Sequence, residues 1–212
     1  MTRILLACLA ATALLGGCKI VQKLPEAVAQ GDGAAAPADR VAQVVRDTYE
    51  SQVLPEIAGK AVEIGTLRTA IAQGLEAAGA THGVQATGGG GWNFLARGEG
   101  TVVGGDRESR AAVLDVDVDA DGTGDLQIQL GPVVKGTALR DASPFYEFTD
   151  FKDQIEFAGL ARALNTRATE GLALPEGDLA GRSVAFEGAF ALRSATEAIQ
   201  LVPTRLALEE AE

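Results

Sequence analysis

The stretch AAVLDVDVDADGTGDLQIQLG, residues 111–131, decides the fold. Val116 and Val118 alternate with Asp115, Asp117 and Asp119, and Leu126, Ile128 and Leu130 alternate with Gln127 and Gln129. A period of two sends successive side chains to opposite faces of a strand, here with the apolar set inward and the polar set outward. ADGTG between the two runs is rich in turn formers, so the segment reads as a β-hairpin. WNFLARGEGTVVGG (92–105) precedes it as another strand, with Gly98 and Gly100 suggesting a bulge or sharp bend. Two more strands close the chain, RSVAFEGAFAL (182–192) and AIQLVPTRLALE (198–209), and Pro203 suggests an edge or bulge in the second. Between the hairpin and this pair, Phe157, Leu160, Ala161, Leu164 and Ala168 recur at helical spacing, which predicts a helix over about 150–170, starting near Thr149 or Asp150. The order β-β-β-α-β-β is that of an OB-fold, a five-stranded Greek-key barrel.

Upstream of residue 90 the period changes to helical. Asp39 reads as an N-cap, followed by the stripe Val41, Val44, Val45, Thr48 and Val53, which Pro55 interrupts. A second helix is expected from about Thr66, with Leu67, Ala70, Ile71 and Leu75 on one face and Gly79 as its stop. The expected class is therefore α+β: amphipathic helices over 39–80, packed on an OB-like barrel over 90–209.

Residues 1–17, MTRILLACLAATALLGG, carry one positive charge at Arg3, an apolar run from Ile4 to Leu15, and two small residues before Cys18. That is the pattern of a secretory signal, and the run is shorter than the ~20 apolar residues that a membrane-spanning helix needs. Leu15-Gly16-Gly17-Cys18 also resembles the bacterial lipobox, in which the cysteine thiol takes diacylglycerol and becomes the first residue of the mature chain. Cys8 would leave with the leader, so Cys18 is the one thiol left for lipid. Lys19 stands where an aspartate commonly signals inner-membrane retention, which favours the outer membrane. Residues 18–38 then form a Gly/Ala/Pro-rich tether with no period.

The chain carries 29 acidic and 18 basic residues, a net charge of −11. Such a surface repels phosphate backbones, so no nucleic-acid partner is expected. It equally keeps the folded body off anionic headgroups, leaving the anchor to hold the membrane. Catalytic chemistry has little to draw on. His82 is the one histidine, placed in a turn-like THG segment; no G-x-S-x-G or metal-binding histidine pair occurs, and GGGGW lacks the lysine of a phosphate loop. Neither an enzyme nor an obligatory cofactor is expected.

Two segments carry chemistry. In DVDVDADGTGD, Asp117, Asp119, Asp121 and Asp125 match the start of an EF-hand calcium loop, yet the twelfth position is Ile128 rather than a bidentate glutamate. Calcium binding and a solvated aspartate face over a hairpin turn are the competing readings. In the connection that leads from the hairpin to the helix, Arg140 and Asp141 lie near Phe145, Tyr146, Phe151 and Gln154, and Trp92 and Asn93 join them if the first strand begins alongside. A guanidinium, a carboxylate and rings suit a cleft for a polar ligand. A loop-fixing ion pair under an aromatic lid is the competing reading.

The blocks WNF (92–94), GPVVKGTALRD (131–141), FKDQIEFA (151–158) and ALN (163–165), with the LLGGCKIV start, resemble a bacterial family described as predicted periplasmic lipoproteins. The resemblance spans nearly the whole mature chain and carries no catalytic residues. The family's genes commonly lie beside sugar-type ABC import systems, which implies an accessory role in solute uptake. The expected partners are the membrane, through the lipid, and a small polar solute or a component of the importer. The alternative is a structural envelope scaffold with no small-molecule ligand, whose helices at 39–79 dock a partner while the barrel is a rigid spacer.

Overall fold

The computed structural model describes residues 37–86 and 90–209. The leader, Cys18 and the expected tether up to residue 36 lie outside the described residues; Pro37 and Ala38, expected at the tether's end, belong to the first helix. Helix α1 spans Pro37–Thr48 and runs through a π-helical turn, Tyr49–Val53, into α2, Leu54–Lys60. Pro55 follows the π-helical turn directly, where the Leu54 N–H donates to the Tyr49 carbonyl, and the helical path continues through it rather than stopping. A two-residue strand, β1 (Val62–Glu63), leads to α3 (Ile64–Gln73) and α4 (Leu75–His82), followed by β2 (Gly83–Gln85). The single helix expected from Thr66 is thus two, broken at Gly74, whose φ of +156° side-chain-bearing residues rarely adopt. Gly79 does not stop a helix; it lies inside α4.

The strands β3 (Trp92–Asp106), β4 (Ala111–Asp117), β5 (Leu126–Pro132), β6 (Ser183–Leu192) and β7 (Ile199–Leu208) form a closed barrel. β3 pairs with β6 over Trp92–Thr101 and with β4 over Thr101–Asp106, so one long bent strand belongs to both halves of the barrel. β4 pairs antiparallel with β5, β5 parallel with β7, and β7 antiparallel with β6, which completes the ring. The irregularity in β3 falls between Val102 and Gly104, beyond the glycines that suggested it. The bulge expected at Pro203 lies beside it: Gly188 pairs with Pro203 and Glu187 with Arg205, leaving Thr204 as the extra residue next to a position without an N–H.

Two apolar cores result. Phe94, Val116, Ile128, Phe186, Phe190 and Leu201 fill the barrel, and Ile64, Leu67 and Ile71 of α3 pack into the same cluster. The second core lies outside the barrel wall. There the buried stripe Val41, Val44, Val45 and Val53 meets Leu160, Leu164 and Ala168 of α6 (Gln154–Glu170) over Leu95, Ala189 and Val202. Those three side chains alternate with barrel-filling neighbours, so these strands are apolar on both faces. A short helix, α5 (Ala138–Asp141), joins this layer through Ala138 and Leu139.

α6 starts later than expected. Phe148–Asp150 is a lone 3₁₀ turn, and the cap is Asp153, whose carboxylate accepts the Glu156 N–H at 2.9 Å. Glu156 in turn accepts the Lys152 N–H at 2.6 Å, a reciprocal arrangement one residue wider than a capping box. The buried Glu156 also faces Arg40 at 3.4 Å, fixing the start of α1 beside the start of α6.

Candidate functional site

Arg140 and Asp141 are positioned by what precedes them. Burial of Ala138 and Leu139 holds α5 against the helical layer and leaves the next two residues at its surface. Arg140 donates from Nε to Asp141 at 2.7 Å and from Nη1 to the Phe157 carbonyl at 3.0 Å, and its guanidinium lies 3.9 Å from the Phe157 ring centroid. Asp141 also accepts the Thr137 hydroxyl at 2.6 Å. The loop-fixing ion pair therefore exists, and it lines a cleft as well. This cleft encloses about 640 Å³ between α5 and α6, within the size range of small-molecule sites. Arg140 Nη2 has no partner among the described residues and remains available to a ligand.

Of the remaining expected residues, Tyr146 and Gln154 line this cleft. Tyr146 is fixed through its hydroxyl, 2.6 Å from Thr48 of α1, and burial pushes its pKa up to about 12, against the lowering effect of that hydrogen bond. Phe145 and Phe151 do not line it; both are buried in the helical core. Trp92 lies elsewhere, because α4 and β2 stand beside the start of β3. Its indole donates to Glu76 at 3.2 Å and its ring lies against Gly79. Asn93 is buried, donates to the Val84 carbonyl at 3.2 Å, and lines a different groove.

Sequence reasoning missed Phe148, Thr149 and Phe157 as cleft residues. Phe157 fits the apolar stripe of α6, so periodicity assigned it to the core. Phe148 is 45% exposed and Ile155, one residue into α6, is 77% exposed, and neither residue belongs to that stripe.

The aspartates divide. Asp117, Asp119 and Asp125 bring carboxylate oxygens within 4.8 Å of one another, and Asp121 stays apart, accepting the Thr123 N–H at 2.7 Å. Asp117 is not on a solvated strand face: it is 4% exposed and accepts the N–H groups of Asp119, Ala120 and Gly122. These bonds, Gly122's foremost, hold its pKa below the usual carboxylate value, with burial opposing. Arg68 of α3 spans the other two, 3.0 Å from Asp119 and hydrogen-bonded to Asp125. Oxygen donors for a calcium ion are present, but a guanidinium already neutralises two of the three carboxylates. His82 ends α4 rather than sitting in a loop.

No helix among the described residues is long and apolar enough to cross a membrane. The sequence profile of the family described as predicted periplasmic lipoprotein (DUF2291) matches residues 8–207. A comparison with curated proteins gives no match. Among solved structures, the chain is similar to an OB-fold protein of Thermotoga maritima, with a TM-score of 0.60 and 16% identity, over 82% of this chain and 99% of that one. At that identity the likeness shows the fold alone.

Proposed function

The chain belongs to the predicted periplasmic lipoproteins, and from that premise we propose that it is a non-enzymatic accessory of solute uptake. Its anchor is lipid on Cys18, with the outer membrane favoured by Lys19. The barrel serves as a rigid base, and the α5–α6 cleft binds a small polar solute. The observation that carries this reading is Arg140, held over the Phe157 ring by two hydrogen bonds with one guanidinium nitrogen left over, beside the partly exposed ring of Phe148. A pre-oriented cation and an open ring orient a polar ligand at little entropic cost. The exposed apolar side chains of Phe148 in the cleft and Ile155 in the first turn of α6 favour a second reading, in which this region docks a component of an ABC-type sugar importer.

Thermal melts of the detergent-purified full chain against sugars and nucleosides test the first reading. A solute at ten times its Kd adds about 1.4 kcal/mol, or a rise of roughly 3–6 °C. The rise, measured against each variant's own unliganded melt, should vanish in Phe148→Ala, whose ring packs edge-on against Phe157, and in Arg140→Gln. No response to any solute, together with crosslinking to an importer permease that Ile155→Glu abolishes, supports the second reading instead.

A further inference from the structure

We propose that the groove between the Lys135–Asp141 segment and the turn joining β6 to β7 binds a small hydroxylated carboxylate. This is a second site, on the other side of Asp141 from the α5–α6 cleft, and it does not depend on that cleft's occupant. The groove encloses about 430 Å³ and is lined by Asn93, Lys135, Thr137, Asp141, Arg193 and Glu197, among others.

Its charge pattern points to the ligand. Lys135 and Arg193 make no ion pair among the described residues, although the chain is strongly acidic. The Asp141 carboxylate is already committed to Arg140 and Thr137. One oxygen of Glu197 accepts the Arg193 N–H at 2.7 Å, leaving the other to accept from a ligand. Asn93 lines the groove and spends its Nδ2 on Val84, while its Oδ1, a second acceptor, takes no hydrogen bond among the described residues. Two cations call for an anion, and the two acceptors call for hydroxyl donors on the same molecule. A neutral sugar would leave both cations unmatched, and a compact dianion would meet Glu197 without supplying it a donor.

The cationic side is built in advance. Gln129, on the outward face of β5 but covered and 4% exposed, accepts the Lys135 N–H at 2.7 Å and donates to its carbonyl at 3.2 Å. Asn165 of α6, also buried, donates to the Gly136 carbonyl at 3.0 Å. Buried amides from a strand and a helix thus fix the backbone that carries Lys135. Such preorganisation lowers the entropic cost of binding.

Isothermal titration calorimetry of the detergent-purified full chain, with D-gluconate as probe and glucose and inorganic phosphate for comparison, tests the assignment. Gluconate should bind saturably and more tightly than either comparison compound. Lys135→Gln and Arg193→Gln should each weaken it about tenfold, as loss of a charge-assisted hydrogen bond implies. Both side chains are exposed, so melting temperatures should not change. Phe148→Ala, which disables the α5–α6 cleft, should leave gluconate binding intact, separating failure here from failure there. The proposal is overturned if gluconate shows no saturable heat at millimolar concentrations, if glucose or phosphate binds equally well, or if the two cation variants bind gluconate like the wild type.

Discussion

Replacing Gly79 by alanine sets two effects of opposite sign against each other. Alanine is the better helix former by about 1 kcal/mol, and Gly79 lies inside α4. A Cβ at that position, however, would sit 2.0 Å from Cδ2 of Trp92 and 2.4 Å from Cε2 and Cγ. Carbon atoms rest about 3.5–4.0 Å apart, so the indole must retreat by roughly 1.5 Å. Overpacking of this kind costs about 1–3 kcal/mol. The retreat also releases the indole N–H from Glu76, worth about 1 kcal/mol more. The clash wins, and the net loss should be about 1–3 kcal/mol, a melting temperature lower by roughly 2–12 °C. Trp92 is the one tryptophan in the chain, so its fluorescence reports the displacement directly as a red-shifted emission. A stabilised Gly79→Ala protein with unchanged emission would refute the packing of α4 on the start of β3.

Two further outcomes follow from groups described above. Tyr49 and Tyr146 are the only tyrosines, and burial raises the pKa of each to about 12, with Arg167 opposing at Tyr49 and the Thr48 hydrogen bond opposing at Tyr146. Unfolded tyrosine ionises near 10, so this contribution to stability is complete below pH 10 and lost as pH rises through about 12; phenolate absorbance appearing near pH 10 in the folded protein would contradict it. Arg68→Ala should remove the charge that neutralises Asp119 and Asp125, lowering stability by about 1–2 kcal/mol. Millimolar calcium should then raise the variant's melting temperature while moving the wild type little; an equal calcium response in both would show that Arg68 does not occupy the cation's place.

The barrel was legible because alternation and turn chemistry agree across residues 92–131 and again across 182–209. Legibility stopped where a side chain's surroundings come from distant sequence. Period two gives Leu95, Ala189 and Val202 the same status as any outward residue, yet a helical layer from elsewhere in the chain covers them. Gln129 is outward by alternation and buried by the β5–α5 connection that folds over it. Asp117 sits at a strand end, where an aspartate can face water or turn back onto N–H groups, and alternation does not distinguish the two. In the candidate cleft, Arg140, Asp141, Tyr146 and Gln154 come together because they share one connection and the helix it leads into. Trp92 and Asn93 do not join them, since the positions of α4 and β2 depend on the break at Gly74.

The barrel's closure has a consequence for life on a membrane. Lipid-anchored molecules are confined to a plane and meet one another far more often than they would in solution. A sheet with a long free margin would offer each neighbour a row of unpaired N–H and C=O groups on which to polymerise. Here the ring shortens that margin: β1 and β2, two and three residues long, lie along β3, and β7, paired with β5 only through Leu201, carries Pro203 just beyond, a residue with no N–H to offer. Crowding at the bilayer surface therefore finds only a short run of barrel backbone on which to template a fibre.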